Sequence, residues 1–256
     1  MEFSDVRQVH DFERDGEAAA ARLANYPPLW DGIQWSTGID CLIVVIRHIY
    51  CNTMMSLELH KELAWFEESE ARNPILGHAW HMFGCEDGEV EKATEDRKKV
   101  HKTLLELGIL PSESFTAICD SSLMNETFWS QDVFRLTRPP IDATTGDEIP
   151  LSANEIAKLS KLKFKPEARG ACIQDIFSNA FGVQQWKGRQ LFLVPSEPWV
   201  VRVLYHANVS LCDSITIQQL KTLKLPVWDQ KKDVEGICLE EGRLLSFGCC
   251  SPWGRG

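Results

Sequence analysis

Among its nine cysteines the chain has no Cys-x-x-Cys pair. It has only 27 basic residues against 37 acidic ones, and no apolar run approaches the roughly 20 residues of a membrane span. Each shortage excludes something. Without paired Cys-x-x-Cys there is no zinc ribbon. An odd number of cysteines, scattered without framework spacing, argues against a disulfide scaffold and for a reducing, intracellular setting, cytoplasm or nucleus. The N-terminal residues MEFSDVRQVHDFERDGE are charged and do not read as a signal peptide. A formal charge of −10 argues against nucleic acid or an acidic membrane surface as a partner. It tolerates a basic partner. No internal repeat and no low-complexity tract is visible.

What is present is a hydrophobic content of 44% with nine tryptophans, enough for a sizeable core. The most informative stretch is Trp35–Tyr50, WSTGIDCLIVVIRHIY. A small polar turn (Ser36, Thr37, Gly38) leads to Asp40, Cys41 and a run of large apolar residues. Read as a buried helix, the run takes Asp40 as its N-cap and puts Cys41 at the positive end. There a thiol's pKa falls and it becomes a nucleophile. Gly38 frees the turn to bring a backbone N–H toward the sulfur. A second reading stays open: Ile and Val also favour strands, a short apolar run does not separate strand from helix, and Cys41 is then a core residue.

Along the rest of the chain, helices are expected over residues 9–24, 56–70 (capped by Ser56), 87–107 (ended by Gly108), 152–163 (capped by Ser152 with Glu155) and 172–181. The charge run in 87–107 reads as a solvated face with Glu–Lys pairs. Strands are expected over 128–138, 190–194, 199–206, 234–239 and 244–247, and an exposed loop over 139–150. The spacing His78-x-x-His81-x-x-x-Cys85 lacks a fourth partner nearby, so neither a metal nor a cofactor is expected.

The Cys41 stretch resembles the ubiquitin-specific protease family, most closely its divergent, fungal-type members. There the cysteine ends a motif that reads roughly Asn-x-Gly-x-x-Cys and opens a long buried helix; Gly38 stands at the matching place. The Asn is replaced by Ser36, whose hydroxyl becomes the candidate oxyanion donor. The Ile-Gln-Asp-Ile-Phe helix at 173–177 and the apolar strand after Pro198 are similar to family elements, and Gln131-Asp132 is a weaker match. The resemblance implies an α+β, papain-like cysteine protease fold, with a leader over 1–28, a helical half over 29–125, a strand-rich half over 126–248 and a tail over 249–256. It implies attack by Cys41 on the isopeptide carbonyl after the C-terminal Gly-Gly of ubiquitin or a ubiquitin-like protein. The family's base, a histidine near the C-terminal end, has no counterpart, because no histidine follows His206. A truncated chain and a pseudoenzyme are the two expectations that follow. His206 is the substitute base to consider. His48, seven residues past Cys41, would stand about 10 Å along the same helix at ~1.5 Å per residue. An inactive ubiquitin-binding module and an unrelated α+β interaction scaffold are the alternatives to an enzyme.

Overall fold

The computed structural model describes residues 4–9, 11–25, 37–54, 64–82, 89–165, 172–206 and 224. Ser36, Ser56, Cys85 and the expected strands at 234–239 and 244–247 lie outside the described residues. The fold is α+β. It divides into two units, Met1–Phe128 and Trp129–Gly256.

The first unit is mainly helical. It begins with β1 (Ser4–Asp5), α1 (Val6–Val9) and α2 (Phe12–Asn25), followed by α3 (Thr37–Met54). Next come α4 (Ala64–Arg72), α5 (Pro74–Ala79), β2 (His81–Met82), α6 (Glu89–Glu106), α7 (Phe115–Cys119) and α8 (Ser122–Met124). The apolar run of α3 is helix, not strand. Ile39, Leu42, Ile43, Ile46, Ile49 and Tyr50 are all buried, at the 3–4 residue spacing of one helix face. Burying each such side chain contributes roughly 1.5–3 kcal/mol, which outweighs the weak preference of Ile and Val for strands. Helix α2 packs against α3 through Ala19, Ala20 and Leu23.

Two helix ends follow the sequence closely. Gly108, with φ +75°, closes α6, and the N–H of Ile109 donates to the Leu104 carbonyl at 2.8 Å. This is the left-handed stop that glycine allows. In the second unit Ser152 and Glu155 form the reciprocal capping box of α9 (Ala153–Leu159).

The second unit carries most of the strands. It comprises β3 (Ile141–Asp142), α9, β4 (Lys161–Phe164), α10 (Ile173–Ser178), β5 (Gly182–Trp186), β6 (Arg189–Leu193) and β7 (Arg202–Tyr205). Strands β3, β6 and β5 form an antiparallel sheet in that order, and β4 pairs in parallel with β7. The β5–β6 hairpin turns through Lys187 and Gly188, both at positive φ, as a two-residue turn requires. Leu136, Leu162, Phe164, Ile173, Phe177, Phe181 and Val201 make one core.

The strand expected over 128–138 is not formed. A π-helical turn spans Asn125–Trp129 and a 3₁₀ turn spans Asp132–Phe134. Phe128, Trp129 and Ser130 are consecutive and all buried, which a strand's alternation does not produce. The aromatic cluster there signalled burial, not β structure. Gln131-Asp132 opens the 3₁₀ turn.

Candidate functional site

Helix α3 opens at Thr37, three residues earlier than Asp40. Asp40 is therefore not its N-cap; it lies within the first turn. Its carboxylate accepts from Nη2 of Arg97 at 2.6 Å, a side chain that α6 buries. Cys41 follows one turn into the helix and is exposed. The core-residue reading of Cys41 is thus corrected: with Leu42 and Ile43 directed inward, the helical period turns Cys41 outward. The strongest field of the helix ends falls off within the first turn. The field is therefore strongest at the position of Thr37, and Cys41 stands four residues, one turn, beyond it.

Gly38 is held tightly. A Cβ there would overlap the Glu113 carbonyl and come within 2.8 Å of Phe115 N. The start of α3 is thereby clasped against the segment that leads into α7. From the end of α6 to the start of α7, four large apolar side chains are exposed: Leu105 (54%), Leu107 (51%), Leu110 (54%) and Phe115 (37%). Cys41 and His206 are in different units, so neither unit alone holds both. His206 is exposed at the end of β7, and its N–H donates to the Phe164 carbonyl at 2.9 Å. His48 is also exposed.

A second cluster lies in the first unit. Nδ1 of His78, at the end of α5, and Nδ1 of His81, in β2, each lie 2.7 Å from Oδ2 of Asp96 on α6. The bend that carries both histidines is fixed from beneath by Arg47 of α3. Its Nε donates to the Ala79 carbonyl at 2.9 Å and its Nη2 to the His81 carbonyl at 2.6 Å. Burial holds the Arg47 guanidinium down to about 10. It therefore stays charged at neutral pH. Strand β1 pairs with β2, placing Asp5 opposite His81. The ring of Trp80 stacks on Tyr50 at 4.1 Å and lies under the Arg7 guanidinium at 4.8 Å.

Burial lowers the His78 pKa against the opposing pull of Asp96. Burial would raise that of Asp96, but the bonds from the two histidines outweigh it and the carboxyl is held well below its usual range. At neutral pH Asp96 is a carboxylate, lying between the rings of His78 and His81. Among the described residues this trio is the cluster with the donors and spacing to hold a metal ion.

Sequence reasoning grouped the two histidines with Cys85 and missed Asp96, having read its helix as a solvated face. The signal was present in the period of α6. Ala93, Arg97, Val100 and Leu104 are buried at spacings of three and four, so Arg97 falls on the inner face and Asp96 beside it.

In the second unit a groove of about 370 Å³ is lined by Arg135, Arg138, Pro139, Pro140, Glu148 and Ile156, among others. His206 does not line it. No family model, curated protein or solved structure matches the chain. Among the described residues, no helix is long and apolar enough to cross a membrane.

Proposed function

We propose that the chain is a divergent, papain-like relative of the ubiquitin-specific proteases that binds ubiquitin or a ubiquitin-like protein without hydrolysing it. It belongs in this reading to the cytoplasm or nucleus. The observation that carries the binding half is the exposure of four large apolar side chains, Leu105, Leu107, Leu110 and Phe115, within eleven residues. The backbone of residues 113–115, at the far end of that stretch, is clasped to Gly38 at the opening of α3. Several exposed large apolar side chains in one short stretch suit a protein partner better than a small molecule. The charge of −10 favours a partner with a basic tail and surface.

The inactive half follows from the position of Cys41. Its sulfur is reachable, yet it is set one turn past the helix end, where activation is weak. Hydrolysis at Cys41, with Ser36 as oxyanion donor and His206 as base, is the competing reading; the exposure of the thiol favours it. A fluorogenic ubiquitin C-terminal amide separates the two. The binding module leaves it uncleaved at enzyme concentrations that saturate binding. Release of the fluorophore by the wild type, absent in Cys41→Ala, would establish the hydrolase and overturn the module.

A further inference from the structure

The geometry points to a divalent transition-metal site of the zinc class at His78, His81 and Asp96, independent of Cys41 and of any ubiquitin-like partner. Three separate elements deliver the three donors: the end of α5, strand β2 and helix α6. The donor atoms all lie within 4.8 Å of one another. Two imidazoles and a carboxylate on a rigid frame form the protein's share of an open zinc site, with the remaining position left to water or a ligand.

The frame is built for placement. Arg47 fixes the carbonyls on either side of Trp80, so the backbone between the two histidines has little freedom. In tetrahedral coordination with bonds of ~2.0 Å the donors sit ~3.3 Å apart. Each Nδ1–Oδ2 separation of 2.7 Å has only to open by about 0.6 Å, within reach of side-chain rotation. Access is through His81, whose side chain is 24% exposed against 6% for His78. Without metal the same atoms form a hydrogen-bonded clamp in which both Nδ1–H groups donate to one oxygen, and this clamp is the alternative the test must exclude.

The full chain, stripped with chelator, is titrated with Zn²⁺ and Co²⁺. The site predicts a rise in Tm on adding Zn²⁺ and visible Co²⁺ absorption of four-coordinate intensity. Asp96→Asn and His81→Gln should each weaken binding at least tenfold. Nitrogen NMR of the wild type's imidazoles reads the site even if a variant misfolds: Nδ1 of His78 and of His81 should shift when Zn²⁺ is added. The proposal is overturned if neither metal produces a thermal or spectral response. It is equally overturned if binding leaves both Nδ1 signals unmoved, or if folded Asp96→Asn and His81→Gln bind as tightly as the wild type.

Discussion

At the residue scale, exposure sorts the cysteines. Cys41 and Cys172 are exposed, whereas Cys51 is buried on the inner face of α3. Burial pushes the Cys51 thiol up to about 11, and its Sγ donates to the Ala20 carbonyl at 3.2 Å. Alkylation of the folded protein near pH 8 should label Cys41 and Cys172 and spare Cys51 until denaturant is added, as peptide mass mapping would read. Labelling of Cys51 before Cys41 would refute the placement of α3. Gly38 makes an equally sharp case. Because an added methyl meets backbone and not a movable side chain, Gly38→Ala should cost about 1–3 kcal/mol, measured by denaturant unfolding. An unchanged midpoint would mean that α3 and the 113–115 segment are not in contact.

At the scale of elements, the first strand and helix are joined by charge. Asp5 accepts from the Arg7 guanidinium at 2.7 Å and from the Arg7 backbone N–H at 2.9 Å, while Arg7 also pairs with Glu70 of α4 at 2.7 Å. Burial would raise the Asp5 pKa, but these bonds outweigh it and lower it below the usual carboxylate value. A carboxyl whose folded pKa is depressed stabilises the fold above its unfolded value, about 3.9. That contribution is lost as pH falls through the folded one. Stability should therefore drop on the acid side below about pH 4. Asp5→Asn should flatten that part of the profile while lowering stability at pH 7; an unaltered acid limb would remove Asp5 from the account.

The elements also show what was legible in the sequence. Caps were, because they are local: Ser152 with Glu155 and Gly108 each fix an end through their own side chain or φ. Helix 172–181 was found in shortened form as Ile173–Ser178, and strand 199–206 as Arg202–Tyr205. The irregular run from Asn125 to Phe134 was not. Its shape rests on side-chain bonds to backbone, such as Thr127 Oγ1 donating to the Leu123 carbonyl at 2.6 Å. No hydrophobic period announces such bonds. The His78–His81–Asp96 trio was half legible. The two histidines stand close in sequence, but their partner arrives from another helix, a tertiary fact that spacing alone does not carry.

For the whole molecule, two units share one acidic chain, and the candidate surfaces described above lie mainly in the first. The trio and the exposed apolar side chains of residues 105–115 each lie within the first unit. The central claim of the proposal is binding. The most direct test is a titration of isotope-labelled ubiquitin with the full chain, followed by NMR, beside Phe115→Asp. The account predicts saturable shifts on ubiquitin in the micromolar class, weakened by added salt and lost in the variant, with ubiquitin recovered intact. Spectra of ubiquitin that do not change at saturating concentrations of the chain would contradict it.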